Sequence, residues 1–274
     1  MTTENSRADA LTDQGRNVTK RIVCWFSCGA ASAVATKIAI TENARSANLP
    51  FVVARCVIDE EHPDNERFAA ECEAWFGVPI LRLSSEKFGT SIFNVFQKER
   101  YIVGVAGAPC TRALKKRVRE DFQQYGDLHV FGYTADEQER IDRFIDANND
   151  IRLWSVLADK QITHSDCLAL VERAGIRLPE MYRLGYTHNN CVGCVKGGAG
   201  YWNKIRVDFP AAFDRMAKLE RLIGASICRH KGKRTYLDEL PPDVGRYDDE
   251  PKIECGIFCE LAEKEIAAQD ILTT

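Results

Sequence analysis

The sequence predicts an α/β fold: a doubly wound parallel five-stranded sheet followed by a helical, loop-rich C-terminal lobe. Three observations carry this reading. Five short β-type runs occur, helical stretches alternate with them, and chemistry-bearing motifs sit just after the runs, where such sheets place their ligands. The first run is Arg21-Ile-Val-Cys-Trp-Phe26, ending in Ser27-Cys-Gly-Ala-Ala-Ser32, and from Ala33 small and apolar residues continue helically to Ile40. The second is Phe51-Val-Val-Ala-Arg-Cys-Val-Ile58, which runs into an acidic segment at residues 59–64. Residues 66–76 have helical spacing through Phe68, Cys72, Trp75 and Phe76, with Gly77 suited to the C-cap. Pro79-Ile-Leu-Arg-Leu83 is the third run, and a basic helix follows Cys110. Leu128-His-Val-Phe-Gly-Tyr133 is the fourth, residues 135–144 a helix, and Ile151-Arg-Leu-Trp154 the fifth.

We divide the chain into a polar, disordered tail (1–19), a nucleotide-binding α/β domain (20–160) and a C-terminal helical lobe with a cysteine-bearing tail (161–274). A chain of 274 residues with 45% hydrophobic and 28% charged residues can bury a sizeable core. The first 19 residues lack the apolar stretch of a secretory signal, and no run approaches membrane-span length, so the expected location is the cytoplasm, without a membrane partner. Eleven cysteines in such a chain do not read as a disulfide framework. Cys24, Cys56, Cys72 and Cys167 lie in periodic apolar segments and read as small core residues. A net charge of −3 excludes a protein-wide field for nucleic acid, leaving two local basic stretches at residues 112–117 and 229–234. Each stretch reads first as a solvated face.

Four segments carry candidate chemistry. In the loop at residues 27–32, Gly29 lets backbone amides approach an anion, the helix that follows adds its positive end, and Ser27 and Ser32 can donate hydroxyl hydrogen bonds. After the second run, Asp59 can accept ribose hydroxyls, while Asp64 reads as a cap for the helix from Asn65. After the fourth run, Gly132 gives backbone room and Arg140 can pair with an anion, although Glu137 and Arg140 equally suit a helix-surface pair. The strongest signal is cysteine spacing. Cys110 opens a helix that also carries Arg112 and Lys115, and Cys191-Val-Gly-Cys194 follows about eighty residues later. Two thiolates around a glycine can grip one metal or cluster edge, and a distant cysteine can complete the shell; zinc, thiol redox chemistry and cluster ligation all remain open. The glycines of Lys196-Gly-Gly-Ala-Gly200 suit a wrap around a cluster or a phosphate, and Tyr201 and Trp202 read as anchors of the lobe.

These segments together resemble the 3′-phosphoadenylyl-sulfate reductase branch of the PP-loop ATP pyrophosphatases (adenine nucleotide alpha hydrolases). The loop resembles their Ser-Gly-Gly-x-Asp-Ser motif, with Cys28 at the second position and Ala31 at the Asp position. Residues 132–140 are similar to the family's Gly-x-Arg-x-x-Glu-x-x-Arg, with Thr134 at the first arginine. Pro109 stands where iron–sulfur adenylyl-sulfate reductases carry the first cysteine of a Cys-Cys pair. Glu254-Cys255-Gly256-Ile257 resembles the segment that bears their nucleophile. The resemblance implies a PP-loop type fold and an adenine nucleotide (PAPS, APS or ATP) held by Ser27, Cys28, Gly29, Ser32, Asp59, Gly132, Glu137 and Arg140. It also implies Arg112 and Lys115 beside the phosphosulfate, and a [4Fe–4S] cluster on Cys110, Cys191 and Cys194. Cys259 or Cys255 is the expected fourth ligand, or the fourth iron is left open. In the reductase reading Cys255 attacks sulfur and a thioredoxin-like reductant frees sulfite. The alternative is a cluster-dependent, ATP-using sulfurtransferase that thiolates tRNA or DNA, and nucleic acid is a partner only there. A homodimer is compatible with either.

Overall fold

In a computed structural model of the chain, the structure describes residues 19–104, 107–149 and 151–250. The expected tail lies almost wholly outside them, as do Cys255 and Cys259. No helix among the described residues is long and apolar enough to cross a membrane.

The chain divides into two compact units that interleave along the sequence rather than meeting at one cut. The first takes the described residues through Arg55, with Glu66–Arg82 and Phe122–Leu178; the second takes Cys56–Asn65, Leu83–Asp121 and the described residues from Pro179.

The first unit is built on the sheet. Its strands are β1 (Arg21–Trp25), β2 (Phe51–Cys56), β3 (Ile80–Leu83), β4 (Asp127–Val130) and β5 (Arg152–Trp154), in the order β3-β2-β1-β4-β5. All five expected strands are present, and the sheet is parallel with flanking helices. β1 is buried on both faces after its first residue, which is why it reads as a continuous apolar run. Its edge with β4 is fixed in register by chemistry as well as by backbone. Arg21 lies opposite Asp127 and donates to both carboxylate oxygens at 2.8 Å. Trp25 Nε1 donates to His129 Nδ1 at 2.9 Å, and the two rings stack with Phe131 beside them.

The helix α1 (Ala30–Arg45) begins three residues before the expected start, and its first two turns are largely buried through Ala30, Ser32, Ala33, Val34, Ala35 and Thr36. It packs on α7 (Val156–Asp159) and α8 (His164–Arg173). α2 (Asp64–Phe76) ends at Gly77, whose φ of 74° makes the left-handed turn that glycine tolerates best. Phe26 meets Phe68 and Phe76 beneath it. α6 (Gln138–Ala147) is entered through one 3-10 turn at Ala135–Glu137.

The second unit has its own apolar core, in which Trp202, Phe96, Ile102, Leu114, Met181 and Ile205 are almost wholly buried. It contains α3 (Ile92–Glu99), α4 (Pro109–Thr111), α9 (Glu180–Arg183), α10 (Ala199–Asp208) and α11 (Pro210–Ile223). A π-helical stretch, Arg112–Lys116, joins α4 to α5 (Arg117–Phe122). A two-stranded antiparallel hairpin, β6 (Cys228–His230) and β7 (Lys233–Thr235), follows α11. Sequence reasoning foresaw a helical, loop-rich lobe but not this hairpin.

Candidate nucleotide site and cysteine knuckle

From β1 the chain steps outward to β2 and β3, then returns to place β4 on the other side of β1. The carboxyl ends of β1 and β4 therefore flank the topological switch point, where open α/β sheets bind ligands. The loop at residues 27–32 leaves β1 at that point. Cys28 is fully buried with a φ of 58°, a left-handed conformation that costs a non-glycine residue about 1 kcal/mol or more. Ser32, also buried, stitches the loop. Its Oγ accepts from the Ser27 amide at 3.1 Å and from the Ser27 hydroxyl at 3.2 Å, and donates to the Gly29 carbonyl at 2.9 Å.

The loop leads into α1 with Gly29 as N-cap, no capping side chain and no acidic residue in the first turn. Its first-turn amides thus add to the positive end of a 16-residue helix without a competing carboxylate. Gly132, two residues past β4, presses on this turn: a Cβ there would lie 2.6 Å from the Ser32 amide nitrogen and 2.9 Å from the Ala31 carbonyl carbon. Ser27, Cys28, Gly29, Ser32 and Gly132 are thus brought together within the first unit.

Glu137 and Arg140 serve the chain itself. Thr134 and Glu137 form a capping box, with the Thr134 amide 3.0 Å from the Glu137 carboxylate. Arg140 pairs with Glu137 at 2.5 Å and lies over the Tyr133 ring. Burial raises the Glu137 carboxyl pKa, but Arg140 and the Thr134 hydrogen bonds outweigh it and leave the pKa below the ordinary value.

The remaining candidates lie in the second unit. Asp59 is exposed beyond the end of β2. Its acidic neighbours act as brackets: Glu60 accepts from the Ser91 hydroxyl at 2.6 Å and the Ile92 amide at 2.9 Å, and Glu61 accepts from Asn65. Asp64 is the first residue of α2, and its carboxylate accepts from the Glu180 amide at 3.0 Å. Arg112, on the π-helical stretch, pairs with Glu99 at 3.4 Å, and Lys115 is buried.

Cys110, Cys191 and Cys194 share one apolar cluster, the last two buried and Cys110 partly so. The Cys191-Val-Gly-Cys194 knuckle is organised by Tyr201. Its hydroxyl accepts from the amides of Gly193 (3.1 Å) and Cys194 (2.9 Å) and donates to the Cys191 carbonyl at 3.1 Å. Burial holds this phenol in its neutral form, its pKa pushed well above the usual value. Among the described residues no three His, Cys, Asp or Glu side chains are arranged to hold a metal ion. Cys110, Cys191 and Cys194 are the residues that would hold the expected cluster from this unit. Cys255 and Cys259, the expected nucleophile and further ligand, lie outside the described residues.

The glycine loop after the knuckle packs closely on its own chain. Gly197 makes room for the Tyr201 ring, and the Gly200 amide at the start of α10 donates to the Glu250 carboxylate at 2.7 Å. Sequence reasoning took Tyr201 for a core anchor and missed its hydroxyl's role. The capping box at Thr134, by contrast, has a visible signature in Thr-x-x-Glu.

No family model matches the chain. It is 31% identical over 75 residues to an uncharacterised 37.8 kDa protein of Escherichia phage 186, a match covering 27% of this chain and 22% of that protein. The chain thus aligns with only about a fifth of the curated relative's length. Among solved structures it is similar to the U34-tRNA thiolase NcsA from Methanococcus maripaludis with its [4Fe–4S] cluster. That match has a TM-score of 0.40 and 13% identity, covering 79% of this chain and 76% of that one.

Proposed function

We propose that this chain is an adenine-nucleotide-binding enzyme of PP-loop type that activates an acceptor for sulfur transfer. The observation that carries the nucleotide half is the packing of Gly132 against the Ser32 amide at the switch point. It fixes the uncapped first turn of α1, free of acidic side chains, at the end of β1. Backbone amides of that turn supply donors to phosphate oxygens there, and the exposed Ser27 hydroxyl joins them by turning away from Ser32 Oγ. Ala31 places no carboxylate beside the phosphates, and the donors of the loop itself are amide dipoles and hydroxyls.

In the proposed reaction an acceptor oxygen attacks the α-phosphorus of ATP, the bond to pyrophosphate breaks, and the acceptor becomes adenylated. A sulfur nucleophile from a separate donor then attacks the activated carbon, forming a C–S bond as AMP departs with the oxygen. The loop's contribution is to hold the nucleotide's phosphates and offset the negative charge that develops on them.

Transfer is favoured over sulfonucleotide reduction by the state of the cations that reduction would use. Arg140 is engaged by Glu137 and Arg112 by Glu99, and Lys115 is buried. Calorimetric titration of the full chain with ATP tests the placement. Replacing Ser27 and Ser32 together by Ala should weaken binding by about tenfold or more, since hydrogen bonds to a charged group are worth roughly 1.5–3 kcal/mol. Unchanged affinity would remove the nucleotide from this loop. Sulfite release from adenylyl sulfate or its 3′-phosphorylated form, with a thiol reductant, would replace transfer by reduction.

A further inference from the structure

We infer that the β6–β7 hairpin is a docking element for the phosphodiester backbone of a nucleic acid. Its register sets Arg229 directly opposite Arg234 and His230 opposite Lys233, with Lys231 and Gly232 forming the turn. Cys228 is buried, so the alternation of a strand turns Arg229 and Arg234 to the other, exposed face. Lys231 and Lys233 are exposed too.

Like charges directly opposite across a hairpin destabilise it. The acids nearest in sequence do not relieve the repulsion. Asp238 and Glu239 are bound to Arg221, at 2.7 and 2.6 Å, and Glu220 is buried. Among the described residues Arg229, Lys231 and Lys233 have no acidic partner, and Arg234 donates only to the Ser226 carbonyl at 2.9 Å. Protection of sheet edges from aggregation needs charge, but mixed signs would give it without repulsion. An arrangement of one sign, held open, asks for an anion from outside.

The rest of the unit holds that arrangement rigid. The Glu220 carboxylate takes one end of the hairpin on each oxygen, accepting from the Ile227 amide at 2.5 Å and the Leu237 amide at 2.6 Å. Lys231 and Gly232 both have positive φ, 50° and 77°, as the tight turn favoured by hairpin twist requires. A stiff two-stranded ribbon bearing paired guanidinium groups has the shape that enters a nucleic-acid groove and the donors that clamp phosphates. The net charge of −3 makes this a local feature and not a general basicity. The inference rests on the transfer reading only for the acceptor's role: a nucleic acid held here is the acceptor that the nucleotide activates.

The test is fluorescence anisotropy of the full chain with a labelled DNA duplex of roughly 20 base pairs and a labelled RNA stem-loop, from about 50 to 200 mM salt. The wild type should bind at least one of them, and the two arms distinguish DNA from RNA. Replacing Arg229, Lys231, Lys233 and Arg234 by Gln should weaken that binding by about tenfold or more. It should also lower the slope against log salt by ~0.9 for each phosphate no longer neutralised on a DNA duplex, or by less on RNA. Arg229→Glu keeps the test sound if the quadruple variant folds poorly. It creates an opposite-charge pair with Arg234, so thermal stability should hold or rise while nucleic-acid binding falls. The control Lys87→Gln with Lys98→Gln, which removes positive charge elsewhere, should bind as the wild type does. Unchanged binding in the hairpin variants, an equal loss in the control, or capture of polyglutamate in preference to both nucleic acids would overturn the inference. ATP affinity measured in the same variants should not change. A wild type that binds nucleic acid but not ATP would therefore sink the proposed function and leave the docking element standing.

Discussion

Gly132 lies so close to Ser32 that a single methyl group on its Cα would sit 2.6 Å from the Ser32 amide nitrogen. The atoms it would meet are backbone atoms at the first turn of a buried helix, and they cannot swing aside as a side-chain tip could. Gly132→Ala is therefore expected to cost about 1–3 kcal/mol, the usual penalty for overpacking. It should also displace the turn proposed to hold phosphate. Urea unfolding and ATP titration on one preparation check both effects. A variant with the wild-type midpoint and affinity would show that the loop is not held by this packing.

Tyr201 governs the knuckle through three hydrogen bonds from one oxygen. Tyr201→Phe keeps the ring and removes that oxygen, leaving the buried amides of Gly193 and Cys194 without an acceptor. The expected loss is roughly 2–4 kcal/mol in unfolding free energy, because unsatisfied buried donors forfeit their solvation. Alkylation followed by peptide mapping should show Cys191 and Cys194 reacting faster in the variant. Equal stability and equal labelling would mean that the knuckle's shape comes from packing alone.

Glu220 gives a pH-dependent signature. Burial pushes its carboxyl up to about 7, against hydrogen bonds from the Leu237 and Ile227 amides that lower it. The folded chain thus holds a proton that the unfolded chain releases near pH 4.5, so the stabilisation is complete below that pH and is lost as pH rises through 7. The loss is on the order of 3 kcal/mol across the window. Comparing wild type with Glu220→Gln at pH 4.5, 6 and 8 isolates it, since the glutamine does not titrate. The wild type's advantage should shrink as pH rises; a difference that stays flat or grows would contradict the assignment.

What the sequence determined by itself is the sheet and its first loop. β1 is legible because its residues are buried on both faces and so form an unbroken apolar run, and the loop of Ser27, Gly29 and Ser32 is legible because a strand run gives way there to small residues that open a helix. The capping box of Thr134 and Glu137 was within reach for the same reason: both partners lie three residues apart. Tertiary structure alone decided everything that depends on distant partners. Spacing could group Cys110 with Cys191 and Cys194, but not show that the knuckle's amides turn to Tyr201. Spacing could not show that Asp64 reaches across to Glu180, or that a basic run folds back to set Arg229 against Arg234. The physical reason is range. Periodicity and capping act over a few residues, whereas hydrogen bonds of buried groups and cross-strand charge pairs are fixed only when the chain returns on itself.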